Sequence, residues 1–335
     1  MGAVLEEKVD LTFANTLRLP CTADIAARPK TLTELRRVLE ACRSKNLPVT
    51  LLGGGSNVLL PERLTGAAIT LDFDQWWIER KGDEGIAYVG AGAHWHTLVM
   101  TLAERGWWGL ENLALIPGRC GAAPVQNIGA YGVELGDCLE GVQVMTLDTR
   151  RVYWLSQEQC KLSYRDSVFK RELAGKVAIL RLALRLSRNG APKLGYGDLA
   201  QRVTREATPL QVAQAVCQTR QEKLPDPDVL ANAGSFFKNP VVSEATAQAL
   251  LGRHPDMPCF SQPDGRCKLA AGWLIDRCEL KGQRFGAFGI HERQALVLVH
   301  FGGGSREELF DVANTIVETV ESRFGVRLEP EPRTL

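Results

Sequence analysis

The chain has 335 residues, 45% hydrophobic and 24% charged, the composition of an ordinary globular protein of about two domains. With 40 Lys and Arg against 39 Asp and Glu, it has no basic excess to coat a nucleic acid, so any anion site must be local. The 9 cysteines form no Cys-x-x-Cys pair, which argues against a disulfide framework or a structural metal.

Met1 to Asn15 mixes Glu6, Glu7, Lys8 and Asp10 with apolar residues. It reads as neither signal peptide nor membrane span, and a reduced cytoplasmic protein is expected. Thr31-Leu32-Thr33-Glu34 has the form of a capping box and predicts a helix with Leu35, Val38, Leu39 and Cys42 inward. Pro48 to Leu52 reads as a short buried strand feeding Gly53-Gly54-Gly55, and Ala67 to Leu71 as the next strand. A second helix is expected from His94 to Arg105, with Trp95, Leu98, Val99 and Leu102 on one face and a stop at Gly106. From Gly141 to Leu186 the pattern is β: a run holding Val142, Val144, Met145 and Leu147, then Arg151 to Leu155, then Val177 to Leu186.

Thr208-Pro209-Leu210-Gln211 supplies an N-cap, a first-turn proline and a capping glutamine for a helix reaching about Gln221. Pro225-Asp226-Pro227 then marks a domain boundary. Beyond it come a helix near Leu269 to Arg277 and a strand Ala295 to His300. Ser305-Arg306-Glu307-Glu308 opens a long helix with Leu309, Val312, Ile316, Val317 and Val320 inward, closed by Gly325. A last strand, Val326 to Glu331, is expected to have little to anchor it.

Pro117 to Gly132 contains four glycines, two prolines and a single charge. Such residues let a backbone approach a ligand, and successive N–H groups can hold a pyrophosphate. With Gly53-Gly54-Gly55-Ser56-Asn57 upstream, the stretch suggests a dinucleotide held by loops; two unrelated tight connections are the alternative. A Rossmann fingerprint is absent, because Gly90-x-Gly92 is followed by Trp95 and Gly53-x-Gly55 by Val58 where a third glycine belongs. His94 and His96 stand two apart on a helix, so they point in different directions and no metal is expected. Ser235, between Gly234 and Phe236-Phe237, reads either as a turn serine capping a backbone group or as a proton donor in a dry setting. Arg165, in Tyr164-Arg165-Asp166-Ser167, suits a bidentate contact to carboxylate or phosphate, or a surface ion pair. Glu329 and Glu331 lie two apart in a segment bent by prolines, where an exposed acidic edge is the plainer reading.

In order along the chain, Gly53 to Asn57, Ile116-Pro117-Gly118, Pro124 to Gly132, Tyr164 to Ser167, Gly234 to Pro240 and Pro330-Glu331 together resemble the UDP-N-acetylenolpyruvoylglucosamine reductase (MurB) family. Leu269 to Asp276 and Tyr196-Gly197-Asp198 are similar to the form of that family with the longer substrate loop. The resemblance implies an α+β chain: a two-part FAD-binding domain of the vanillyl-alcohol-oxidase (PCMH) type plus a C-terminal α+β substrate-binding domain. The implied boundaries are 1–61, joined by the C-terminal strand 326–335, then 62–224 and 225–325. It implies dissociable FAD held by Gly53, Gly54, Gly55, Ser56, Asn57, Pro117, Gly118, Gly121, Ala122, Gln126, Asn127, Ile128, Gly129, Tyr131 and Gly132.

The implied reaction belongs to peptidoglycan precursor synthesis. NADPH reduces the flavin and leaves, and UDP-N-acetylglucosamine enolpyruvate then takes a hydride from N5 at C3 and a proton at C2, giving UDP-N-acetylmuramate. By the same match Ser235 is the general acid, and Arg165 and Glu331 polarise the substrate carboxylate and stabilise the enolic intermediate. Tyr196, Lys223, Asn239, Gln294 and Phe260 fall where the family contacts the UDP-sugar. A monomer without metal, nucleic-acid or membrane partner is expected. Two departures stand out. Arg119-Cys120 follows Pro117-Gly118 where relatives carry uncharged residues, which either alters the flavin loop or adds a phosphate contact. Phe260 replaces a tyrosine and removes one hydrogen bond to the nucleotide. A flavin oxidase of hydroxy acids or sugars, and a non-catalytic sensor, are the competing readings; the set Ser235, Arg165 and Glu331 argues against both.

Overall fold

The computed structural model describes residues 5–335. They divide into two compact units, one running up to Val9 and then over Thr22–Gly55 and Leu64–Glu222, the other made of Asp10–Cys21, Ser56–Arg63 and Lys223–Leu335.

The first unit holds two sheets. Strands β1 (Glu6–Asp10), β2 (Thr22–Ala27), β3 (Val49–Leu52) and β4 (Arg63–Thr70) lie in the order β1-β2-β4-β3. β3 and β4 run parallel, from Val49 opposite Ala67 to Leu52 opposite Thr70. Helix α1 (Leu32–Ser44) forms the crossover between β2 and β3 and buries the four expected residues with Ile25, Ala67 and Ile69. Its cap differs in one detail from the predicted box. The Thr31 hydroxyl accepts the Glu34 N–H at 3.1 Å, but the Glu34 carboxylate takes the N–H of Lys30 at 2.8 Å.

Strands β5 (Trp76–Lys81), β6 (Glu84–Gly90), β7 (Leu139–Thr146), β8 (Val152–Ser156) and β9 (Val177–Ser187) form an antiparallel sheet in the order β8-β7-β9-β6-β5. The last three match the expected β run. The β5–β6 hairpin has no clear signal in the sequence: β5 is an exposed edge strand ending in Glu79-Arg80-Lys81, so burial imposes almost no alternation on it. Helix α2 (Trp95–Glu104) packs Trp95, Leu98, Val99 and Leu102 into one core with Val142, Val144, Leu182 and Leu184. Helix α3 (Pro209–Lys223) opens on the expected reciprocal cap, Gln211 N–H to the Thr208 hydroxyl at 3.3 Å and Thr208 N–H to the Gln211 amide oxygen at 2.8 Å.

The second unit contains β10 (Ala231–Ser235), α4 (Glu244–Arg253), β11 (Cys259–Ser261), β12 (Cys267–Leu269), α5 (Ala271–Arg277), β13 (Arg284–Phe285), β14 (Phe288–Ile290), β15 (Val297–His300) and α6 (Arg306–Phe324). Its main sheet is antiparallel in the order β10-β15-β14-β13. α6 buries Leu309, Val312, Ile316, Val317 and Val320 as expected, between a complete Ser305/Glu308 capping box and Gly325 in the left-handed conformation at φ 67°.

The expected strand Val326 to Glu331 does not form a ladder. Pro330 and Pro332 have no N–H to contribute, so pairing there is a single bridge from Phe237 to Pro330. The paired strand is Arg333–Thr334, parallel to Val58–Leu59. Leu335 N–H reaches Leu59 O at 3.3 Å and Arg306 holds the Leu335 carbonyl at 3.0 Å, so the tail is anchored after all. Among the described residues no helix is long and apolar enough to cross a membrane.

The α6 cap yields a first prediction. Ser305→Ala removes one partner of the box and should cost about 1 kcal/mol, seen as a lower urea midpoint at unchanged m-value; an unmoved midpoint would show that the box contributes nothing.

Candidate active site

In the first unit, loops from three parts of the chain meet at backbone distance. β3 ends in Gly53-Gly54-Gly55. A Cβ on Gly53 would sit 2.9 Å from the Ala122 Cβ, and one on Gly54 would sit 2.8 Å from the Gly118 Cα. A Cβ on Gly121 would stand 2.6 Å from that of Ala91. Hydrogen bonds lock the same approach: Trp95 N–H to Gly118 O at 3.0 Å, Cys120 N–H to Ala93 O at 2.9 Å, and Gly121 N–H to Ala91 O at 2.9 Å. No side chain fits between these segments, so what they can offer a ligand is main-chain surface, which a pyrophosphate can approach closely. Cys120 is fully buried, and burial pushes its thiol up to about 12, so it stays neutral.

Residues Cys120–Gln126 wind into a 3-10 helix that ends at Asn127 in the left-handed conformation, φ 47°. The Asn127 side chain is occupied inside the fold. Its amide donates to Glu134 at 2.6 Å and to the Ser163 carbonyl at 3.1 Å, and its oxygen accepts the Gly136 N–H at 2.9 Å. Ile128 is buried in the core. Gly129–Ala130 pairs with Val133–Glu134 across a two-residue turn, Tyr131 (φ 49°) and Gly132 (φ 76°), as a tight hairpin requires. Asn112 donates to the carbonyls of both Tyr131 (2.9 Å) and Lys193 (2.8 Å). The Tyr131 ring meets Tyr196 edge-on at 5.9 Å.

Arg165 stands on a tight turn closed by paired backbone hydrogen bonds between Ser163 and Asp166, both 3.1 Å. It is left-handed at φ 54°. The Ser167 hydroxyl ties this turn to the 3-10 helix through Val125 O at 2.6 Å. Sequence reasoning missed Arg220, on α3. Its Nε is enclosed and without a hydrogen-bond partner. Burial lowers its pKa and neighbouring Arg165 adds to that, while Tyr131 and Cys217 oppose it. A guanidinium so placed is suited to an anion. The only sequence signal was a cation three residues before Lys223 on an otherwise weakly amphipathic helix.

His96, set aside as a metal ligand, plays a structural part, since its Nδ1 accepts the Leu115 N–H at 3.0 Å. Burial, then the charge of Arg220, holds its pKa below the usual histidine value. Among the described residues no cluster of three His, Cys, Asp or Glu could hold a metal.

The second unit carries Ser56, Asn57, Lys223, Ser235, Asn239, Phe260, Gln294 and Glu331. Ser235 ends β10 just after a bulge, where Asn232 pairs with Val299 but Ser235 with Val297. Gly234 takes φ 69° there, and its N–H is held by the Asn232 side chain at 2.9 Å. Phe236 and Phe237, each 1% exposed, anchor the next two positions. Glu331, itself buried, donates its N–H to Phe236 O at 2.8 Å, which fixes its segment beside that of Ser235. Asn239 accepts the Ala271 N–H at 3.0 Å and so caps α5 from outside the helix. Gln294 accepts the Leu296 N–H at 3.4 Å, and Phe260 on β11 is half-exposed.

Glycine loops packed at backbone distance without a Rossmann fingerprint suit a dinucleotide held by loops. In agreement, residues 23–156 match the FAD binding domain family; the chain is an α+β, FAD-dependent oxidoreductase. Residues 226–335 match the C-terminal domain of UDP-N-acetylenolpyruvoylglucosamine reductase. The chain is 46% identical to the enzyme of that name from Cupriavidus pinatubonensis, covering 96% of each. It is also 46% identical to that from Chromobacterium violaceum, covering 98% of each. The solved UDP-N-acetylenolpyruvylglucosamine reductase from Thermus caldophilus superposes with a TM-score of 0.69 at 25% identity over 99% of both chains. The chain belongs to the UDP-N-acetylenolpyruvoylglucosamine reductase (MurB) family.

The glycine cradle and His96 can each be tested. Gly54→Ala places its Cβ against main chain that has no side-chain freedom to yield, so FAD affinity should fall at least ~10-fold; equilibrium dialysis showing native affinity would refute the close-approach argument. For His96, the unfolded chain takes up a proton below about pH 6.5 while the folded chain resists it, so its contribution is complete above that value and is lost as pH falls through the lowered folded pKa. Melting temperature should therefore drop more steeply on acidification below about pH 6.5 in the parent than in His96→Gln, and parallel curves would remove His96 from the account.

Proposed function

We propose that this chain reduces the enolpyruvyl ether of UDP-N-acetylglucosamine to UDP-N-acetylmuramate with NADPH as hydride donor, a step of peptidoglycan precursor synthesis. Bound FAD would supply the hydride chemistry, between NADPH and C3 of the enolpyruvyl group. Ser235 donates the proton to C2. Arg165 pairs with the substrate carboxylate, and Arg165 and Glu331 together polarise it and stabilise the enolic intermediate that forms before protonation at C2. Lys223 faces the diphosphate, while Tyr196, Asn239 and Gln294 orient the sugar nucleotide. Phe260 contributes ring surface without a hydroxyl.

The observation that carries this reading is the setting of Ser235. A bulge, an Asn232-bound Gly234 and two buried phenylalanines define the backbone that carries Ser235, a degree of definition a surface turn does not need. The division 1–61 with 326–335, 62–224 and 225–325 is proposed as the functional one, with the enzyme a cytoplasmic monomer.

Ser235→Ala should lower turnover of the enolpyruvyl UDP-sugar by about 10²- to 10⁴-fold while NADPH still bleaches the flavin in an anaerobic spectrum. Full turnover in that variant would remove Ser235 as the acid. A parent flavin that recovers its colour only with oxygen would point to an oxidase.

A further inference from the structure

Arg119 is the single charge between Pro117 and Gly132, and its guanidinium turns into the protein. Its Nη1 lies 2.7 Å from the Asp72 carboxylate, 3.1 Å from the Gly92 carbonyl and 3.3 Å from the Leu71 carbonyl. Both side chains of the pair are mostly covered, 17% exposed for Arg119 and 24% for Asp72. A half-buried ion pair with two additional carbonyl acceptors is well beyond the exposed kind that contributes little.

What the pair joins gives it a role. Leu71 and Asp72 follow β4, and a Cβ on Gly92 would fall 2.6 Å from the Leu71 carbonyl, so these two segments already touch. Gly92 N–H donates to Phe73 O at 2.8 Å, and Asp72 N–H to Pro29 O at 3.0 Å. Arg119 brings the third segment to them. It directly follows Gly118, the residue against which Gly54 packs, and it precedes Gly121, which rests on Ala91. One side chain therefore holds the Pro117–Gly121 arm at a set distance from the rest of the glycine cradle.

We propose that Arg119 and Asp72 form a clamp that sets the flavin loop before FAD arrives, a positioning pair for cofactor affinity and not a phosphate ligand. The proposal rests on the FAD-binding assignment of residues 23–156. A loop held in its bound shape loses less conformational freedom on binding, and the saving appears as affinity. The clamp also explains how a loop of small, uncharged residues accommodates its one cation: Asp72 neutralises it locally.

The test is FAD release from diluted holoenzyme, followed by flavin fluorescence, for the parent, Arg119→Ser, Arg119→Lys, Asp72→Asn and the Arg119→Ser/Asp72→Asn double variant. The clamp predicts that Arg119→Ser and Asp72→Asn each weaken FAD binding by about 10-fold, that the double variant is no worse than either, and that Arg119→Lys falls between. Turnover should return at saturating FAD in all of them. If Asp72→Asn binds FAD as tightly as the parent or more tightly while Arg119→Ser does not, Arg119 touches the phosphate directly and the clamp is wrong. Equal FAD affinity in every variant, with only the melting temperature lowered, would reduce the pair to a fold contact. Should Arg119→Ser fail to fold, Arg119→Lys and Asp72→Asn still decide the question. A parent that releases no FAD because it holds none would instead sink the cofactor assignment itself.

Discussion

The first unit depends on main chain packed directly against main chain. Gly54 against Gly118 and Gly121 against Ala91 leave no volume for a side chain. Around this contact the rest of the unit is arranged to keep three loops from separating. The parallel pairing of β3 with β4 delivers Gly53 to Gly55, the end of β6 delivers Gly90 to Gly92, and the turn after α2 delivers Pro117 to Gly121. Buried side chains of α1 on one sheet and of α2 on the other supply the apolar burial that such a polar, loop-built junction cannot provide for itself. Each ladder thus ends where a glycine is required.

Around that contact the chain accepts local strain. Leu115, Asn127, Tyr131 and Arg165 all take positive φ without being glycine, a conformation that costs of order 1 kcal/mol or more per residue and is sustained only by its surroundings. The surroundings are identifiable. His96 holds the Leu115 N–H, the Asn127 side chain makes three hydrogen bonds, Asn112 holds the Tyr131 carbonyl, and Lys170 holds that of Arg165 at 3.0 Å. These polar side chains touch neighbouring loops and thereby fix the directions in which Tyr131 and Arg165 project. The second unit holds the backbone at Ser235 in a comparable way, with Asn232 binding a left-handed glycine.

Which of these features the amino-acid sequence disclosed follows from their range. The capped helices were legible because a cap, an apolar stripe and a terminal glycine lie within one or two turns: Ser305 to Gly325 reads as it folds. The glycine stretches were legible as connections without helical or strand periodicity, although the short 3-10 helix Cys120–Gln126 and the hairpin at Gly129 were not. What stayed hidden is set by distant partners. β5 has too little burial to carry a strand pattern, and the C-terminal pairing shifted to Arg333–Thr334 because Pro330 withdrew a donor from the expected strand and Pro332 one just after it. Asn127 read as a residue of the flavin loop, yet its side chain is spent on Glu134, Ser163 and Gly136. Arg119 read as altering the flavin loop or adding a phosphate contact, and its ion pair with Asp72, 47 residues away in the chain, lies beyond what local sequence can show.

The balance of charge gains its meaning at this level. A chain with a formal net charge of +1 has no long-range field to draw a doubly charged cofactor or a sugar diphosphate. Recognition must come from a few cations whose surroundings make each count for more than it would in water. Arg119 has its charge neutralised by Asp72, so it contributes geometry. Arg220 is the opposite case: its enclosed Nε lacks a partner, and both burial and the like charge of Arg165 disfavour its protonated form. An anion beside it would relieve both penalties at once, so the free energy already spent in burying that guanidinium returns as affinity when the anion binds. A surface lysine, solvated before and after, has no such reserve. A nearly neutral chain can therefore still present a local cation suited to an anion, since Arg119 is matched by Asp72 while Arg220 keeps its charge in an enclosed setting.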